Sequence, residues 1–117
     1  MRSDCKVLVC SCDKYADLQG LFAKLFRKFW PDCPFELVLV TETDLKVGGF
    51  DRVIACGDGT NWASRLVTVL DTVTTSQVLM LCDDYFLAAP VDTTRLLKRL
   101  DDLKAATAVN LRLVPNP

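Results

Sequence analysis

Two adjacent carboxylates, Asp83 and Asp84, follow directly on the apolar run Gln77-Val78-Leu79-Met80-Leu81-Cys82. An ionised group at the end of a buried strand needs a counter-charge or hydrogen-bond donors, because charge in apolar surroundings is costly. A divalent cation bridging to a phosphate meets that need: magnesium and manganese take oxygen ligands and commonly bind one or two carboxylates together with substrate phosphates. If the backbone stays extended, successive side chains leave on opposite faces. One aspartate would then hold metal while the other accepts from a ribose hydroxyl. The plainer alternative is that the pair caps a turn or is neutralised by a nearby lysine or arginine.

Other polar groups follow the earlier apolar runs. Ser11, Cys12 and Asp13 come after Lys6-Val7-Leu8-Val9-Cys10, and Thr41, Glu42 and Asp44 after Phe35-Glu36-Leu37-Val38-Leu39-Val40. In a parallel sheet they would line the same edge as the acidic pair, where they could hold a base and its ribose or serve as ordinary turn and capping residues. Arg65 lies just past the loop Gly57-Asp58-Gly59-Thr60-Asn61. Its guanidinium suits a diphosphate, and pairing with Asp58 or Asp83 is the structural alternative. The loop is not a G-x-x-x-x-G-K-[ST] sequence, and no G-x-G-x-x-G follows the first apolar run, so neither a Walker-type NTPase nor a common dinucleotide binder is supported.

The chain has no histidine and six cysteines, and Cys10-Ser11-Cys12 is not a C-x-x-C pair. Zinc-ligand spacing is therefore missing. Cys10, Cys12, Cys56 and Cys82 sit in or beside apolar runs and read as small buried hydrophobes rather than a disulfide framework. Lys24, Arg27 and Lys28 read as a solvated helix face.

The elements that must position these residues follow from periodicity. The continuous apolar run Lys6–Cys10 predicts a strand buried on both faces, and Phe35–Val40, Arg52–Cys56 and Gln77–Cys82 predict further strands, with the last of them looking central. Leu18, Leu21, Phe22, Leu25, Phe26 and Phe29 recur at helical spacing, and Trp30-Pro31 and Pro34 stop that helix. Trp62, Leu66, Val69, Leu70 and Val73 mark a second helix. A third opens at Pro90 and Asp92, with Leu96, Leu97, Leu100 and Leu103 inward. Ala108–Leu113 alternates and predicts a fifth strand with one wetter face. The order β-α-β-β-α-β-α-β predicts an α/β fold, a three-layer, mostly parallel Rossmann-like sheet, with ligands bound beyond the carboxyl ends of the strands.

The motifs Val-Cys-Ser-Cys-Asp-Lys-Tyr, Phe-Trp-Pro-Asp-Cys-Pro, Asn-Trp-Ala-Ser-Arg-Leu and Leu-Cys-Asp-Asp-Tyr-Phe-Leu, in that order, resemble the N-terminal part of bacterial GT-A-type glycosyltransferases. The resemblance implies a nucleotide-diphosphate sugar donor at the first-strand edge and a manganese or magnesium ion at a DxD-like motif. Asp84 matches the metal ligand by position, and Asp83 its ribose or phosphate partner and a second metal ligand. Ser11 and Asp13 match the base-binding loop; Cys82 stands where the motif has its first aspartate. The resemblance also implies a saccharide or lipid-linked acceptor, whose site and catalytic base would follow Pro117. A flavodoxin-like receiver or other regulatory module is the alternative, although its acids cluster after the first and third strands.

At 117 residues, half of them hydrophobic, residues 1–117 are expected to form a single nucleotide-sugar-binding-like domain, truncated at its C-terminus. Fourteen basic residues balance fifteen acidic ones, leaving a net charge of −1 and no field to attract nucleic acid or anionic membrane. No apolar run is long enough for a membrane span, and no signal-peptide pattern opens the chain, so a cytoplasmic location is expected. An uncovered sheet edge would favour a homo-oligomer.

Overall fold

The computed structural model describes residues 2–105, with side chains from residue 4 onward. Four strands, β1 (Arg2–Cys10), β2 (Phe35–Thr41), β3 (Arg52–Ala55) and β4 (Gln77–Cys82), are accompanied by α1 (Ala16–Phe29) after β1, α2 (Trp62–Thr72) after β3 and α3 (Thr93–Ala105) after β4. The strands form one sheet in the order β3-β2-β1-β4, and every pairing is parallel. The fold is therefore α/β, with the Rossmann order rather than the flavodoxin order, in which the third strand lies beside the first. The predicted strand at Ala108–Leu113 lies outside the described residues.

The chain moves from β1 to β2 in one direction across the sheet and from β3 to β4 in the other. Because parallel crossovers are right-handed, this reversal puts α1 and α2 on opposite faces. The core divides accordingly. Cys5, Val7, Val9, Phe35, Leu37 and Leu39 meet Phe22, Phe26 and Trp30 at the α1 face, where Leu100 of α3 joins them. Leu8, Val38 and Val40 meet Val69 of α2 on the other. Strand alternation sorts neighbouring residues between the two layers.

On the α1 face the helices are tied by polar contacts as well as packing. Trp30 Nε1 donates to Thr93 Oγ1 at 2.9 Å, and Val91 N–H to the Phe29 carbonyl at 3.0 Å. Residues 42–51 join the parallel strands β2 and β3 without a helix and pack on α1 instead. Phe50 stacks on Phe22, with ring centroids 6.4 Å apart. Gly49 takes φ +94°, and a Cβ there would lie 2.7 Å from Ala23 Cβ, so this approach requires glycine.

Three expectations change. Among the described residues β4 is an outer strand and β1, fully buried from Val7 to Val9, is central. The high apolar content of β4 does not translate into burial: Met80 is 41% exposed. Second, the inward face of α1 is Gln19, Phe22, Ala23 and Phe26, leaving Leu21 exposed. Third, α2 buries Arg65 and Val69 while Trp62 and Leu70 face solvent. One helix over this layer cannot cover as much surface as α1 and α3 together.

Candidate functional site

The strand order reverses between β1 and β4, so their carboxyl ends flank the topological switch point, where open α/β sheets bind ligands. Cys10 of β1 and Cys82 of β4 are register partners, which sets the following residues Ser11 and Asp83 side by side. Ser11 Oγ donates to Asp83 Oδ2 at 2.6 Å, and both residues are buried. Gln19 Nε2, from the first turns of α1, donates to Ser11 Oγ at 2.9 Å and to the Cys12 carbonyl at 3.1 Å. A relay thus runs from Gln19 through Ser11 to Asp83 and supplies the donor that a buried carboxylate needs.

Gln19 was missed in the sequence, although its place was readable. It lies three, four and seven residues before Phe22, Ala23 and Phe26, in line with the buried face. A polar residue in an apolar stripe signals a buried hydrogen-bonding role. Gln19 is fully buried, and its Oε1 has no hydrogen-bond partner among the described residues.

The acidic pair divides, though through a turn and not an extended strand. Tyr85 N–H donates to the Cys82 carbonyl at 3.2 Å, closing a four-residue turn around Asp83 and Asp84. Asp83 is drawn in against Ser11, whereas Asp84 and Tyr85 are exposed. Neither carboxylate has a lysine or arginine within ion-pair distance among the described residues, so the charge-pairing alternative fails there.

Asp13 and Thr41 stand at the neighbouring strand ends. Thr43 donates to the Asp13 carboxylate twice, through its hydroxyl to Oδ2 and through its N–H to Oδ1 at 3.1 Å. These bonds hold the Asp13 carboxyl below its ordinary 3.8, with a smaller pull from the Arg65 guanidinium. Thr41 is buried, and its hydroxyl donates to the Thr43 carbonyl at 2.7 Å. The hydroxyl proton of Thr41 is thus used within the loop. Glu42 Oε1 accepts from Asp13 N–H at 3.4 Å, while Asp44 pairs locally with Lys46.

Arg65 is buried and pairs with neither Asp58 nor Asp83. Its Nη1 donates to the carbonyl and, at 3.4 Å, the hydroxyl of Thr60, fastening the glycine-rich loop to α2. Asn61 caps the same helix by accepting from Ser64 N–H at 2.8 Å. The guanidinium still acts electrostatically on this edge. The Cys10 thiol is pushed up to about 11 by burial, with the nearby Cys82 and Asp83 adding and Arg65 opposing.

No disulfide joins any of the six cysteines, and they are not uniformly buried: Cys5 and Cys10 are, whereas Cys82 is exposed. Its neighbour Met80 is exposed too, so the apolar run around Cys82 does not bury it. No cluster of three or more His, Cys, Asp and Glu side chains suited to a metal occurs among the described residues. The available donors are carboxylate oxygens, which suit a hard cation held by one or two protein ligands with phosphate and water completing its shell. No helix among the described residues is long and apolar enough to cross a membrane.

The fold and this edge define an α/β domain with a polar switch-point site. Comparison with protein-family models, curated proteins and solved structures finds no match to the chain.

Proposed function

We propose that this chain is the donor-binding part of a GT-A-type glycosyltransferase, taking a nucleotide-diphosphate sugar at the switch point between β1 and β4. The observation that carries the reading is the split of the acidic pair: Ser11 holds buried Asp83 at the strand ends, and the next residue, Asp84, is left exposed. In this reading Asp84 binds manganese or magnesium and Asp83 anchors the turn that presents it. When bound, the ion neutralises the diphosphate and eases its departure as a leaving group. Asp13 and its loop face the base and ribose, while Arg65 contributes positive potential from the α2 side. A saccharide or lipid-linked molecule is the acceptor class, and the setting is cytoplasmic.

Titration calorimetry with UDP, GDP, CDP and TDP, each with and without manganese, tests the reading. One nucleotide should bind in a manganese-dependent manner, and Asp84→Ala should weaken that binding at least about tenfold, or roughly 1.4 kcal/mol. If no nucleotide binds under either condition, the proposal fails.

A further inference from the structure

The strand register brings two thiols together at the floor of the switch point. Cys10 and Cys82 are paired residues on adjacent parallel strands, so their side chains leave on the same face of the sheet, the α2 side. Neighbouring strands lie about 4.8 Å apart, inside the roughly 4.4–6.8 Å that separates the α-carbons of disulfide-bonded cysteines. Cys5, Cys33 and Cys56 are placed differently. Cys5 lies in the opposite core layer, Cys33 Sγ contacts the Phe35 carbonyl, and Cys56 Sγ contacts the Ile54 and Arg65 carbonyls. Cys82 is exposed and Cys10 beside it is buried, so a reagent from solvent meets Cys82 first.

We infer that Cys10 and Cys82 form a cross-strand dithiol site, which a small-molecule disulfide oxidises to an intramolecular disulfide. The Cys82 thiolate attacks glutathione disulfide, forming a mixed disulfide and releasing one glutathione thiolate. Cys10 then loses its proton to solvent and attacks the Cys82 sulfur, releasing the second glutathione. The two protein thiols supply two electrons, and one glutathione disulfide becomes two glutathiones. The bridge would staple β1 to β4 immediately before Ser11 and Asp83. This inference stands independently of the nucleotide-sugar reading.

The test treats the full chain with glutathione disulfide, blocks the remaining thiols with iodoacetamide after unfolding, and maps tryptic peptides by mass spectrometry. The expected product joins the peptide of residues 7–14 to that of residues 66–95, with loss of two of the six thiols. Reduction with dithiothreitol should restore all of them. Cys82→Ser, at an exposed position, should abolish the cross-link. Because residues 7–14 also contain Cys12, the variant Cys12→Ala should retain it. A cross-link lost in Cys12→Ala, or Cys82 arrested as its glutathione adduct with Cys10 still alkylatable, overturns the inference.

Discussion

Replacing Ser11 by alanine tests whether the relay holds the acidic turn in place. Ser11 Oγ sits 2.6 Å from Asp83 Oδ2, and the two residues are only 6% and 7% exposed. The distance falls in the range of charge-assisted O–H···O⁻ bonds, and bonds to charged groups contribute about 1.5–3 kcal/mol. The same change removes one of the two acceptors of Gln19 Nε2, which keeps the Cys12 carbonyl. A buried donor left short of a partner costs about 1 kcal/mol more. A water entering the space of the hydroxyl would recover part of this, so the expected loss is about 2–4 kcal/mol.

Urea unfolding followed by tryptophan fluorescence measures the loss, because Trp30 is 2% exposed in the fold and becomes wet on unfolding. With a slope of about 1–1.5 kcal/mol per molar urea, the midpoint should fall by roughly 2 M. Asp83→Asn keeps an acceptor facing Ser11 and removes the buried charge, so it should cost less than Ser11→Ala. In the double variant the two losses should fall short of additivity by about 1–2 kcal/mol. A Ser11→Ala loss below about 0.5 kcal/mol, typical of an ordinary surface change, would falsify the relay, as would full additivity in the double variant.

Two further predictions concern the loops that frame the edge. Gly49→Ala should destabilise by about 1–3 kcal/mol, since its Cβ meets Ala23 at 2.7 Å and its φ is +94°; Gly20→Ala, with open space on α1, should instead stabilise by about 0.5–1 kcal/mol. Thermal melts of both decide it, and equal effects would contradict the packing of residues 42–51 on α1. Thr43→Val should raise the Asp13 carboxyl toward its ordinary 3.8 by removing the strongest of the bonds that depress it, as read by carboxyl NMR titration. The sign for stability follows: a depressed carboxyl stabilises the fold above its unfolded value, and that contribution fades as pH falls below about 3.8 through the lower folded value. The variant should show a weaker acid dependence than the parent chain.

The strands and helices were readable because each is written in one period. Apolar runs mark β1 and β2, and helical spacing marks α1. Burial was harder to read, because it depends on what covers an element. The runs of β1 and β4 look alike in sequence, yet β1 has a strand on either side and helices over both faces, whereas β4 is flanked by one described strand. Nothing local distinguishes them. The candidate site was legible as a set of strand-end residues, since a parallel sheet brings those ends to one edge. Its connections were not legible: Ser11 with Asp83, and Asp13 with Thr43, are separated by 72 and 30 positions, and strand order alone makes them neighbours.

That separation explains why the two adjacent aspartates differ. A dipeptide of identical residues carries no internal reason for one carboxylate to be buried and the other exposed. The reason lies in β1, whose register with β4 places a hydroxyl beside position 83. It lies also in the turn at Cys82–Tyr85, which closes where the strand ends and leaves Asp84 exposed. Burying both carboxylates would demand a second set of donors beside Asp84. The arrangement therefore uses the first aspartate to hold the turn and leaves the second exposed to solvent.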